Sequence, residues 1–419
     1  MPNSEPLTPE RERALLFTLA GIQFAHILDF MIMMPLGPIL INAFDVSTHE
    51  FGLLVSAYTF SAAFTGILAA VFVDRFERKR LLLTIFGLFA VATLACGLAA
   101  GYWSLLVARC VAGAFGGILG SMVQTIVGDL IPFERRGRAT GTVMSAFSIS
   151  TVAGVPLSLY FANHFGWRFP FIFIAVMAVV LLVFAAKILP TLRGHLPTAI
   201  TSEAERRHPL SAMWDVMRDT NHLRAFALMA LIIFSGFTVI PYITIYLTAN
   251  VGIAQGDIPL VYLAGGCATF FTSRLIGRLA DKHGKVRVYR VVAAGSLLPI
   301  FLQTNMVPLP LWVVLISTTL FFVLVPGRMV PAMAIVTSAA QPRLRGTFMS
   351  INGAIQSLAS GSASFIGGAM ISVSATGIVV GYDHVGYLAM VVTLAGIAFA
   401  GSIQMQTGSQ PHAETKKAR

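Results

Sequence analysis

Charge is scarce in this chain. Asp, Glu, Lys and Arg make up 11% of its 419 residues, where soluble domains carry roughly a quarter. With 56% of the residues hydrophobic, a soluble globular protein is excluded. Cysteine is scarcer still. Cys96, Cys110 and Cys267 are odd in number, lie in apolar stretches, and suit neither a disulfide framework nor a metal site. No metal is expected. The phosphate loop G-x-x-x-x-G-K-[ST] is missing, so ATP-driven pumping would need a partner, and no ATPase subunit is expected. No nucleophile, base and metal converge in the sequence, so an enzyme is not expected, nor any cofactor beyond a proton as coupling ion.

What the chain has in quantity is long apolar runs. A helix needs about 20 mostly apolar residues to cross a bilayer, and only helices and closed barrels satisfy their backbone in lipid. Twelve stretches qualify, at 14–41, 51–73, 81–101, 104–128, 139–163, 168–189, 223–249, 257–280, 288–305, 309–337, 345–373 and 382–404. The expected class is an all-α membrane protein with twelve transmembrane helices in a lipid bilayer. The first stretch lacks a small-residue cleavage site and is too long for a signal peptide, so it is expected to be retained. The formal charge of +11 does not point to nucleic acid. Apart from Arg109, Arg168, Arg274 and Arg328, the basic residues sit in tails, span ends and connections that alternate to one side. Examples are Asp74–Arg80, Glu134–Arg138, Asp281–Arg287 and Gln341–Arg345. That bias puts both termini in the cytoplasm.

Residues 190–222 are polar and carry Arg193, Arg206, Arg207 and Arg218. They read as a cytoplasmic linker between an N-terminal six-helix bundle (1–189) and a C-terminal one (223–404), with a polar cytoplasmic tail at 405–419. The halves repeat. Asp281-Lys-His-Gly-Lys-Val-Arg287 follows Asp74-Arg-Phe-Glu-Arg-Lys-Arg80 by 207 positions, and Gly346-Thr-Phe-Met-Ser350 follows Gly141-Thr-Val-Met-Ser145 by 205. Two pseudo-symmetric bundles in parallel repeat place a binding site between them, near mid-membrane.

Acid is nearly absent from the spans, and Asp29 alone lies well inside one. A charge near the bilayer centre costs at least ~2.5–3.5 kcal/mol, so Asp29 is either a functional group or half of a structural ion pair. Gln23, His26 and Asp29 are spaced by three and share a helical face.

The twelve spans, the central linker and these loops resemble the major facilitator superfamily over residues 14–404. Gly277-Arg-Leu-Ala-Asp281-Lys-His-Gly284-Lys285 looks like the family's G-x-L-A-D-[RK]-x-G-[RK] loop. The first-half copy has Ala70 and Glu77 where glycines are usual, but keeps Asp74, Arg75, Arg78 and Lys79. The resemblance implies a conformational latch from Asp74, Arg75, Arg78, Asp281, Lys282 and Gly284; fixing topology is the alternative. Leu105-Leu-Val-Ala-Arg109-Cys-Val-Ala-Gly113 is similar to the R-x-x-x-G element of proton-coupled members. Gly154-Val-Pro156 is similar to the antiporter element. Phe237-Thr-Val-Ile-Pro-Tyr242, Gly327-Arg-Met-Val-Pro331 and Gly166-Trp-Arg168 look like the arabinose-efflux-permease-like group of the drug:proton antiporter branch, whose substrates include sugars, nucleosides and drugs. The row Ala146, Ser150, Gly154, Ser158 and the row Gly353, Ser357, Gly361 are expected to allow close helix packing.

Arg109 and Asp29 come to similar depth from opposite ends of their spans, and in this fold both spans line the cavity. They are expected to face each other and to couple transport to protons. His26 is expected to relay the proton, to hydrogen-bond the carboxylate, or simply to line the cavity. Arg328, beside Pro326, Gly327 and Pro331, is expected at a helix break, as an inner gate or an anion contact. Candidate cavity residues are Gln23, Met33, Phe234, Phe237, Thr238, Tyr242, Asn352 and Gln356. The expected function is proton-coupled efflux of a small organic molecule across the inner membrane by a monomer working through alternating access. An importer on the same fold and a transport-dead sensor are the alternatives.

Overall fold

A computed structural model of the chain describes residues 9–72, 76–131, 133–190, 209–341 and 344–405. Asp74, Arg75, most of the expected linker and nearly all of the tail lie outside the described residues. The six N-terminal spans are α1 (Pro9–Ile32) with α2 (Gly37–Phe44), α3 (Thr48–Phe72), α4 (Arg78–Gly97), α5 (Tyr102–Leu130), α6 (Phe133–Ile149) with α7 (Val155–Phe165), and α8 (Arg168–Ile188). Helix α9 (Pro209–Arg218) precedes the C-terminal six. These are α10 (Thr220–Phe237) with α11 (Ile243–Tyr246), α12 (Ile258–His283), α13 (Lys285–Thr304), α14 (Leu311–Gly327) with α15 (Met329–Ala339), α16 (Arg345–Met370) and α17 (Tyr382–Phe399).

Eleven of these spans are long and apolar enough to cross a membrane by composition alone. The remaining one, α16, is 26 residues long but carries Ser350, Asn352, Gln356, Ser357, Ser360, Ser362 and Ser364. Protein takes up part of this polarity, because Asn352, Ser360 and Ser364 are buried. A polar span is tolerated where its polar face meets other helices.

Several spans are broken where continuous helices were expected. The first span unwinds over residues 33–36, because Pro35 has no N–H to give and its ring crowds the preceding turn. The seventh breaks the same way at Pro241, through a 3₁₀ turn at Ile240–Tyr242. Pro35 and Pro241 are 206 positions apart, so the breaks repeat with the halves. The fifth span widens into a π-turn at Ser150–Gly154, where the Val155 N–H reaches back to the Ser150 carbonyl. Pro156, next in line, cannot donate, and such π-turns cluster at functional sites. The expected linker also ends differently. Residues 209–218 are helical, and Asp219 caps α10 by accepting from the Asn221 and His222 N–H groups. Burial pushes the Asp219 carboxyl up, but these donors and the Gln341 amide hold it below the usual carboxylate range. The connection between the expected spans 345–373 and 382–404 holds a hairpin, β1 (Ser372–Val373) against β2 (Val379–Val380). The Asn250 carboxamide clamps it by bonding both N–H and C=O of Val379.

The cores show how the halves meet. At the end carrying the basic connections, each half has its own core, one including Leu19, Phe86 and Val123, the other Phe226, Ile335 and Phe348. At the opposite end a single core joins them, from Met33, Phe51 and Phe171 to Tyr242, Phe321 and Tyr382. There α3 and α16 meet backbone to backbone. A Cβ on Gly52 would lie 2.9 Å from the Ser364 carbonyl, and one on Gly368 2.9 Å from that of Thr48. The Thr48 hydroxyl donates to the Ile371 carbonyl at 2.6 Å, and the Tyr242 hydroxyl donates to that of Ser364. The row Ala146, Ser150, Gly154, Ser158 is buried throughout. The row on α16 is not. Gly361 packs against Thr59 and Phe60, but Gly353 has nothing within 4 Å of an added Cβ, so close packing is confined to the joined end.

Gly52→Leu places a side chain where backbone now sits. It is expected to destabilise the joined end by ~1–3 kcal/mol, the range for overpacking. Thermal unfolding in detergent checks the loss, and spin-label distances across α3 and α16 should lengthen.

Candidate functional site

Asp29 lies one turn before the break that ends α1. Arg109 lies two turns into α5. Their side chains meet: Arg109 Nη1 donates to Asp29 Oδ2 at 2.9 Å, and to the Asp29 backbone carbonyl at 3.2 Å. Both residues are 0% exposed. Two ions removed from water are each other's main compensation, and separating them would strand a charge. The guanidinium also lies 4.4 Å from the centroid of the Tyr58 ring on α3. This approach depends on Gly113, the glycine of the R-x-x-x-G element. A Cβ there would overlap the Tyr58 backbone, and one on Gly116 would overlap its hydroxyl. Thr93 and Cys96 of α4 flank the pair. Asp29 Oδ1 and Arg109 Nε and Nη2 are buried without a protein partner. Buried polar atoms ordinarily have one, and Thr93 and Cys96 are the side chains placed to supply it.

The other residues on the acid's helical face are near but not joined to it. Neither ring nitrogen of His26 has a protein partner. The ring faces Gly120 of α5, where an added Cβ would lie 3.5 Å from Nε2. Gln23 is buried with its Oε1 unpartnered. Gly154 ends the π-turn, and a Cβ there would press on Leu28 of α1 at 2.8 Å. The antiporter element, Gly154 with Pro156, thus lies against the residue next to Asp29.

Arg328 is the interface residue between α14 and α15 and is 1% exposed. It points into the C-terminal bundle. Nη1 donates to the Thr393 hydroxyl at 2.8 Å, and Nη2 to the Ser235 hydroxyl at 3.0 Å and the Ile232 carbonyl at 3.2 Å. The helix break expected there is present. Its partners are neutral groups on α10 and α17, one of them at the repeat position of Asp29, since Ser235 follows it by 206.

The cavity candidates divide. Met33 and Tyr242 are buried in the joined core. Thr238 is buried, and its hydroxyl donates to Ser235 of its own helix. Phe234, Phe237 and Gln356 are half-buried. Asn352 is buried with both amide atoms unpartnered. Of the latch residues, Arg78 Nε bonds Asp129 Oδ2 at 2.7 Å. Glu77 accepts from the N–H groups of Lys79 and Arg80. Its place in the loop is therefore a helix cap, which explains a carboxylate where glycine is usual. Asp281 and Lys282 are exposed at the end of α12, and Gly284 turns the chain at φ +91°. Sequence reasoning missed Tyr58, Thr93, Cys96 and Asp129. Only the spacing of Gly113 and Gly116 hinted that a large side chain from another helix lies opposite.

Arg109→Leu leaves the Asp29 carboxylate buried alone and is expected to cost ~3–5 kcal/mol of stability. Asp29→Leu combined with Arg109→Met removes both charges and should cost less than Arg109→Leu by itself. Thermal unfolding of the three proteins in one detergent checks the order.

Comparison with known proteins agrees with this architecture. The chain is 24% identical over 319 residues to the uncharacterized MFS-type transporter YtbD of Bacillus subtilis (strain 168), covering 75% of this chain and 78% of that one. It is 28% identical over 191 residues to a probable sugar efflux transporter of Haemophilus influenzae (strain PittGG), covering 45% of this chain and 48% of the relative. Among solved structures, it superposes on a bacterial homologue of the human lysosomal transporter Spinster, inward-facing and occupied, with a TM-score of 0.77 at 16% identity. That match covers 96% of this chain and 100% of the other. The family pattern described as Major Facilitator Superfamily matches residues 19–364. A twelve-span, two-bundle chain with this match is a transporter and not an enzyme, and it belongs to the major facilitator superfamily.

Proposed function

We propose that this protein is a proton-coupled exporter of a small organic molecule, working as a monomer in a bacterial inner membrane with both termini in the cytoplasm. The observation that carries the reading is the buried Asp29–Arg109 pair. A carboxylate in this position can exist in two states, each with its own requirement. Ionised, it needs the guanidinium; protonated, it needs only burial. Exposure of the site to one reservoir and then the other converts that balance into proton uptake on one side and release on the other. No ATPase is required. The basic connections support the orientation through the positive-inside bias. With that orientation, the joined core lies on the outer side, and the halves stand with separate cores towards the cytoplasm. The likeness to a probable sugar efflux transporter makes sugars the first substrates to try, followed by nucleosides and hydrophobic drugs. Half-buried Phe234, Phe237 and Gln356, together with buried Asn352 and Gln23, offer the aromatic faces and amides that such ligands use. Asp74, Arg75, Arg78, Asp281 and Lys282 would latch the cytoplasmic side when the protein opens outward.

A thermal-shift screen of sugars, nucleosides, amino acids and hydrophobic cations identifies a ligand. Proteoliposomes then carry wild type or Asp29→Asn under an imposed pH gradient. The wild type is expected to accumulate the ligand against its gradient, and Asp29→Asn to fall to the level of empty liposomes. Undiminished proton-driven accumulation by Asp29→Asn overturns the proposal. Counterflow in oriented vesicles distinguishes export from import.

A further inference from the structure

The ion pair is connected to the joint between the halves by a file of rings. Phe237, the last residue of α10, meets Phe30 of α1 with centroids 5.8 Å apart. Phe30 meets Tyr58 of α3 at 5.5 Å. Tyr58 in turn lies against the Arg109 guanidinium. Phe237 belongs to the C-terminal half and the other three residues to the N-terminal half, so the file crosses the joint once, between Phe30 and Phe237.

Tyr58 is held in an uncommon way. It is 4% exposed, yet its hydroxyl has no protein partner, although a buried phenol usually finds one. Its place is set by shape and by ring contacts: the slot left by Gly113 and Gly116, the Phe30 ring and the Arg109 cation. A cation over a ring is worth most when both are dry. Phe237 sits where α10 gives way to the turn at Pro241. Alternating access requires the joined core to part, and Phe30 and Phe237 both pack against it.

We propose that Tyr58 is a positioning residue that covers the Asp29–Arg109 pair while the halves share their core and uncovers it when Phe30 and Phe237 separate. It acts through Arg109 and touches no substrate. The inference deepens the proton-coupled reading and takes its purpose from it, but its test needs no substrate.

Cys96 serves as a native reporter, because it is fully buried beside Arg109. The full chain, with Cys110→Ser and Cys267→Ser, is reconstituted in liposomes and exposed to a water-soluble maleimide. Labelling of Cys96 is quantified by mass spectrometry, with and without a cross-link between Thr48→Cys and Ile371→Cys across the joint. The cross-link is expected to slow Cys96 labelling about thirtyfold, the scale of one desolvated cation–π contact. Tyr58→Leu should restore labelling in the cross-linked protein, and Phe30→Leu should do the same by severing the file without touching Arg109. Tyr58→Phe keeps the ring and should remain protected. Thermal unfolding identifies any variant that fails to fold, and if Tyr58→Leu does, Phe30→Leu decides. Labelling indifferent to the cross-link, or equal in Tyr58→Phe and in the folded leucine variants, overturns the proposal. The proteoliposome result with Asp29→Asn can fail independently, so loss of the proton reading and loss of the Tyr58 role are separate outcomes.

Discussion

Two opposite charges removed from water together, in a region where neither has another charged partner, constrain everything around them. Asp29 and Arg109 are fully buried and bonded at 2.9 Å. Their desolvation cost is repaid only if the geometry is kept. The sequence supplies that geometry from several helices at once. Gly113 brings α5 against α3, Tyr58 fills the slot so formed, and Gly154 lets the π-turn of the fifth span lie against Leu28. Removing any of these side chains or adding one would loosen the bond that the burial depends on.

The C-terminal half solves the same problem differently. Arg328 is equally buried, but its partners are two hydroxyls and a carbonyl. Ser235 stands at the repeat position of Asp29, so the halves share a plan in which the first span of each bundle answers a buried arginine. One half answers with a titratable group and the other with a neutral one. The family's parallel repeat therefore leaves a single buried carboxylate–guanidinium pair among the described residues, in the N-terminal bundle. The Pro35 and Pro241 breaks lie just beyond these two positions, and the joined core begins there.

The class and the architecture were legible because they rest on length and composition. Apolar runs of about 20 residues, basic connections on alternate sides and a repeat at 205–207 positions leave little choice of fold. Asp29 and Arg109 were legible as a pair because charges inside spans are costly and few, and the depth of each follows from helix rise. The breaks were less so. Pro35 and Pro241 were visible, but a proline in a membrane helix is often tolerated, and only the surrounding structure decides. Tyr58 was not legible at all, since an aromatic residue in a span ordinarily faces lipid or packing. Glu77 was read as a departure from a glycine position, when its carboxylate caps the helix that follows. α16 was read as one more span, although of its polar side chains Asn352, Ser360 and Ser364 are buried and Gln356 and Ser357 are half-buried.

The account stands on the claim that the carboxyl of Asp29 changes its protonation in the folded protein. Infrared difference spectra of the purified chain in lipid nanodiscs, recorded as the pH is stepped, read carboxyl protonation directly. The account predicts a protonated-carboxyl band that grows as the pH falls and is missing from Asp29→Asn. Identical spectra for the two proteins across the whole range would contradict it.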